Sequence, residues 1–137
     1  MCLIKVGKKQ VAETDILVYK CLDEKLIRVY CTPFQYFPVE FIDGMACLSI
    51  KENLFKTRGK RIECGIHGYY DRSNADATSL EFEDCGTKTH YAIIHKGTPY
   101  CLGIEGEIVT TKMTIFETEE DYEKYKSNSD VEIKEIE

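Results

Sequence analysis

The sequence predicts a single β-rich α+β domain with short helices. Three observations carry that expectation. Short apolar runs alternate with turn residues at close intervals, Val, Ile, Leu and Tyr dominate those runs, and only two segments carry helix-start chemistry. The 137 residues suit one domain, 1–137, with room for a buried core. Residues from about 127 to 137 read as a loose acidic tail.

The strand candidates follow in order. "DILVYKCL" (15–22) and "KLIRVYC" (25–31) flank Asp23-Glu24 as the arms of a hairpin would. "TPFQYFPVEF" (32–41) holds Pro33 and Pro38 among aromatics, which predicts extended chain at a sheet edge. "MACLSI" (45–50), "HYAIIH" (90–95) and "EIVTTKMTIFE" (107–117) read as further strands. Residues 51–60 read as a charged loop ending at Arg58-Gly59-Lys60.

Helix is scarce. Ser73 and Asp76 fit a Ser-x-x-Asp capping box, which predicts a helix over about 74–82 with Ala77, Leu80 and Phe82 offered to the core. Thr118 and Asp121 repeat the device and open a second helix carrying Tyr122 and Tyr125, closed at Ser127-Asn128-Ser129. The tail "DVEIKEIE" fits either a last edge strand or a frayed end.

Composition narrows function. A net charge of -6 disfavours duplex nucleic acid, whose phosphates need a basic surface. Lys51, Lys56, Arg58, Lys60 and Arg61 are a local exception able to hold one anionic ligand, although a solvated loop explains them too. No apolar run approaches the roughly 20 residues of a membrane span, and the first residues lack signal-peptide architecture. The expectation is a soluble, cytoplasmic chain with no membrane partner. Seven cysteines, an odd count, point to free thiols in a reducing compartment, most of them acting as small hydrophobes.

Four zinc-competent side chains occur as Cys64-x2-His67 and Cys85-x4-His90. Their intervals are not those of a finger, and strand alternation separates Cys64 from His67, so no metal site is expected. Removal of Met1 would give Cys2 a free α-amine able to serve its own thiol as base; the plainer reading is a cysteine at the edge of the first strand. His90 and His95 fall on opposite faces of one strand.

The stretch "CGIHGYYDRSNA" (64–75) holds the main candidates. Alternation sends Ile62, Cys64, Ile66 and Gly68 towards a core, and Glu63, Gly65, His67 and Tyr69 the other way. Gly65 and Gly68 leave room for a flat ligand beside His67 and Tyr69, which could stack on a base or donate to a phosphate. Tyr70 and Arg72, at the turn into the helix, extend that strip. The plainer reading is an ordinary solvent-facing strand.

Laid in order, "MCLIKV", "DILVYKCL", "YCTPFQ", "GIHGYY" and "IIHKGTPY" with "GEIV" resemble a family of small proteins of gut bacteria and their phages that has no assigned activity. His95 stands where that family usually has proline, and the family's shared histidine maps to His67. The order of "VYK" (18–20), "GIHGYYDRSNADA" (65–77) and "GEIV" (106–109) is also similar to the ADP-ribosyltransferase fold. That resemblance implies Glu107 as the catalytic acid, His67 or Tyr69 towards the nicotinamide, and NAD as cofactor, with Lys20 where the family has His or Arg.

Two functions follow as expectations. One is a non-catalytic accessory protein of phage or mobile-element type, binding a nucleotide-like ligand or a host protein through His67, Tyr69, Tyr70, Arg72, Lys20 and Arg58, with no cofactor. The other is an ADP-ribosyltransferase-like enzyme using NAD, with Glu107 at its centre.

Overall fold

A computed structural model describes residues 3–23, 28–32, 35–50, 57–58, 61–62 and 65–136, with side chains over 7–22, 39–50, 65–84 and 86–136. Strands β1 (Leu3–Val11), β2 (Asp15–Asp23), β3 (Arg28–Thr32), β4 (Gln35–Pro38), β5 (Met45–Ser49), β6 (Thr57–Arg58), β7 (Arg61–Ile62) and β8 (Ile66–Tyr69) precede helix α1 (Arg72–Glu81). After a short 3-10 turn, β9 (Thr87–Ile94), β10 (Pro99–Gly103), β11 (Glu107–Thr110) and β12 (Lys112–Phe116) lead to helix α2 (Glu119–Asn128) and then β13 (Ile133–Glu135). The fold is α+β: a β-rich open sheet with two short helices.

The large sheet runs β5-β12-β9-β2-β8-β11-β10-β1-β7-β6, and β13 lies beside β2. Its pairings are antiparallel except for β13, which runs parallel to the start of β2. The tail therefore supplies a strand at 133–135. β3 and β4 form a separate two-stranded ribbon.

β2 is the spine. Its near-continuous apolar sequence fits a strand covered on both faces. Ile16, Val18 and Leu22 enter one core with Ile66, Ala92, Ile108, Met113 and Ile115. Leu17 and Tyr19 enter the other with Ala75, Ile93, Phe116 and Tyr122. Each such aliphatic side chain stabilises the fold by about 1.5–3 kcal/mol on burial.

The first core joins residues of distant strands, so the sheet curls over it. A Cβ on Gly68 would meet Met113 Cε at 3.3 Å and Ile108 Cγ2 at 3.7 Å, although β12 and β11 are four places apart in the sheet. The segment 107–117 is accordingly two strands rather than one, because the chain must cross between the two wings at Thr111. Buried Thr110 serves that corner, its hydroxyl donating to the Pro99 carbonyl at 2.9 Å.

Further corrections concern pairing. β2 and β3 do not form a hairpin: β2 is bonded to β9, β8 and β13, while β3 pairs with β4. Of the presumed basic loop, Thr57–Arg58 belongs to the short β6–β7 hairpin. The turn at Asp43-Gly44, with φ of 53° and 80°, has the geometry and sequence of a tight hairpin turn.

Both helices form, with one cap displaced. Thr118 accepts from the Asp121 backbone N–H, and the Asp121 carboxylate returns the bond to Thr118 N. In α1 the cap is Asp71 rather than Ser73. Asp71 is still extended and accepts from Ser73 N at 2.9 Å, whereas Ser73 is already helical. Ala75 is the α1 residue in the core; Leu80 and Phe82 are 69% and 43% exposed, whereas the polar Thr78 and Ser79 turn to the sheet and bond to Tyr69 and Thr89. Among the described residues no helix is long and apolar enough to cross a membrane.

Candidate functional site

Strands β8 and β11 bring the sequence-predicted residues onto one face. Tyr69 lies opposite Glu107 in register, and His67 lies opposite Val109 two positions along. On its other side Tyr69 faces Tyr19 of β2. His67, Tyr69, Glu107 and Tyr19 thus share one side of adjacent strands, as alternation requires.

That face is covered rather than open. α1 packs against β8, and the Thr78 hydroxyl donates to the Tyr69 hydroxyl at 3.0 Å. β3 also lies against β8. Burial, together with the nearby Lys20 charge, pushes the His67 imidazole down to about 3, so it is neutral at physiological pH. Glu107 is pushed above the usual carboxylate range by burial and by Glu105. Glycine at 65 is required for a different reason from ligand access: its φ is +137°, and a Cβ there would collide with Val109.

Arg72 lies on a more accessible feature. At the first position of α1, its side chain is 54% exposed. Its guanidinium carbon lies 5.2 Å from the Tyr91 ring centre and 5.8 Å from that of Tyr19. Nη1 donates to the Tyr91 hydroxyl at 2.6 Å, and that hydroxyl donates to Glu119 at 3.2 Å. Tyr122 of α2 stacks on Tyr91 with centroids 4.9 Å apart. Asp76 balances the charge one turn along, 3.5 Å from Arg72 Nε.

These contacts join the first residues of α1 and α2 over Tyr19 and Tyr91, which lie on neighbouring strands β2 and β9. A guanidinium lies over both rings, and Glu119 accepts from the Tyr91 hydroxyl. Arg72 and Tyr122 already pack on the Tyr91 ring, so the open groups are the Arg72 guanidinium, which can bind an anion, and Glu119, which can accept from a hydroxyl. Tyr19 is shielded there. Burial, then Glu135 and Tyr91, raise its phenol to about 12 despite the lowering effect of Arg72.

The other predicted residues are dispersed. Tyr70 turns to the first core, its N–H donating to the Gly106 carbonyl at 2.7 Å. Lys20 is buried, 7% exposed, on the alternation of Val18 and Leu22. Arg58 lies on β6, five strands along the sheet from β8. Cys2, Cys64 and the Cys85 side chain fall outside the described residues. His90 stacks on Phe41 and meets the Phe116 carbonyl at 2.9 Å, on the sheet face opposite to that of His67. Among the described residues no group of three metal-competent side chains occurs.

Sequence reasoning identified Arg72 but missed Tyr19, Tyr91, Tyr122 and Glu119. Their only local signal was tyrosine recurring at strand and helix positions. No known protein family, curated protein or solved structure matches the chain.

Proposed function

We propose that the protein is a non-catalytic binding module for a nucleotide-like ligand, an accessory protein of the phage or mobile-element type that its sequence resembles. The carrying observation is the Arg72 guanidinium lying over Tyr19 and Tyr91 between two helix N-termini. Exposed arginine fits a phosphate through paired N–H donors, and the open face of the guanidinium fits a purine or nicotinamide ring by stacking.

The test is thermal shift and calorimetry with NAD, ADP-ribose and cyclic nucleotides. A ligand that binds only the folded state stabilises it by RT ln(1 + [L]/Kd), about 2.7 kcal/mol at a hundredfold excess over Kd. A shift with any of the three, lost in Arg72→Ala, supports the reading; no shift at millimolar ligand refutes it and leaves a host protein surface as the partner class.

One observation favours the second reading, an ADP-ribosyltransferase-like enzyme using NAD. Glu107 faces Tyr69 across β11 and β8, as an acid beside a ring-binding tyrosine would. The fit to the dinucleotide is incomplete, because Tyr69 is engaged by Thr78 beneath α1 and Lys20 is buried. Incubation with labelled NAD decides it: neither label transfer nor nicotinamide release would remove the enzyme reading.

A further inference from the structure

We propose that Cys47 is a nucleophilic thiol that accepts acyl groups from activated esters and thioesters, with its proton drawn through Thr114 to a His95–Asp15 pair. The residues form a row across four neighbouring strands. Cys47 of β5 and Thr114 of β12 are register partners, with Sγ and Oγ1 3.5 Å apart. Thr114 Oγ1 lies 2.7 Å from His95 Nε2, just beyond the end of β9. His95 Nδ1 lies 3.8 Å from Oδ2 of Asp15, the first residue of β2.

The row has a closed end and an open end. Asp15 is 2% exposed; its Oδ1 accepts from Lys96 N at 2.9 Å and its Oδ2 from the Tyr125 hydroxyl at 3.3 Å. Tyr125 also sets its ring edge-on to His95 at 6.3 Å between centroids. Thr114 is buried, whereas Cys47 is exposed. An electrophile therefore meets the sulfur, and Thr114 and His95 act through it as positioning and proton-accepting residues.

In the tautomer protonated at Nδ1, His95 presents an Nε2 lone pair to the Thr114 hydroxyl, and the Thr114 oxygen can accept from the thiol. The Asp15 carboxylate lies 3.8 Å from Nδ1, beyond hydrogen-bond reach, and acts on the imidazole through its charge; the row follows the logic of a nucleophile, a base and a nearby carboxylate, extended by one hydroxyl. The neighbouring titratable groups are Asp15 from β2, His95 itself, Tyr125 from α2 and Lys112, which shares the alternation of Thr114 on β12.

The step balances without a co-reactant. The Sγ–C bond forms as the carbonyl carbon's bond to the leaving oxygen or sulfur breaks. The thiol proton moves to Thr114 Oγ1 as the Thr114 proton moves to His95 Nε2, and His95 returns one proton to the departing group. None of these residues belongs to the Arg72 cluster, so the inference stands apart from the ligand-binding reading.

The test uses the full chain and p-nitrophenyl acetate, with nitrophenolate release, intact mass and peptide mapping as readouts. The expected result is one acetyl group placed first on Cys47. At pH 7, Thr114→Val slows that acetylation by about tenfold or more, the loss of base assistance, and Thr114→Ser restores it. First acetylation at another cysteine, or a wild-type rate at pH 7 in Thr114→Val, would overturn the proposal. Should Thr114→Val fail to fold, His95→Asn reads the same relay from a partly exposed position; the same slowing is expected, and a wild-type rate refutes it.

Discussion

Arg72 Nη1 donates to the Tyr91 hydroxyl at 2.6 Å while the guanidinium carbon lies 5.2 Å from the centre of that same ring. One tyrosine from β9 thus fixes the first residue of α1 by its edge and its face together. The arginine is held in one place although more than half of its side chain is open to solvent.

Arg72→Ala should therefore cost little stability and much binding. Exposed ion pairs and exposed cation–π contacts each contribute about 1 kcal/mol or less, so chemical denaturation should show a loss on the order of 1 kcal/mol. Arg72→Lys keeps the charge and loses the planar fork, and it should weaken an anionic ligand less than alanine does.

His67 makes acid stability measurable. Its folded value is lowered to about 3, by burial first and Lys20 second, against an ordinary 6.5. Between those values the unfolded chain holds a proton that the native chain lacks. Stability therefore rises with pH across that window, is complete above the ordinary value and is lost as pH falls towards 3. Urea titrations should show His67→Gln losing less stability than wild type between pH 7 and pH 5. The difference is up to about 2 kcal/mol, and equal losses would contradict it.

Tyr19 works in the opposite direction. Its phenol is raised to about 12, by burial first, then Glu135 and Tyr91, so the native chain keeps a proton that the unfolded chain has lost above about 10. That contribution is complete below 10 and disappears as pH rises through 12. Absorbance titration should find a late-ionising tyrosine missing from Tyr19→Phe, and the variant's stability should fall less steeply over this range.

Gly106→Ala should disturb α1 from outside the helix. Gly106 has a φ of +69°, and an added Cβ would lie 2.6 Å from Asp71 Cβ and 2.9 Å from Asn74 Nδ2. The left-handed backbone costs alanine about 1–2 kcal/mol, and displacement of the Asp71 cap costs about 1 kcal/mol more. A total loss of about 2–3 kcal/mol in denaturation is expected, with a weakened nucleotide response because Arg72 follows Asp71.

What was legible in the sequence was local. Thr118 and Asp121 cap α2 with their own side chains, so a four-residue window sufficed. Ser73 misled because Asp71, two residues earlier, caps α1 first, and Asp76 instead pairs with Arg72. The β2–β3 hairpin failed because β2 bonds to β9 and β8, contacts set by residues far along the chain. The break at Thr111 was hidden in one apolar run whose halves serve different wings of the sheet.

The candidate sites divide in the same way. Arg72 stood out as a cation at a helix start, and His67 and Tyr69 stood out beside glycines. Tyr19 and Tyr91 become neighbours only through the pairing of β2 with β9. The Cys47, Thr114, His95 and Asp15 row exists only once β5, β12, β9 and β2 lie side by side. Each member looked ordinary in its own segment.

The most direct measurement is a calorimetric titration of wild type and Arg72→Ala with ADP-ribose at concentrations up to millimolar. The account predicts saturable binding by wild type and its loss in a variant that melts within a few degrees of wild type. Equal binding by both proteins, or none by a folded wild type to ADP-ribose, NAD or cyclic nucleotides, would contradict it.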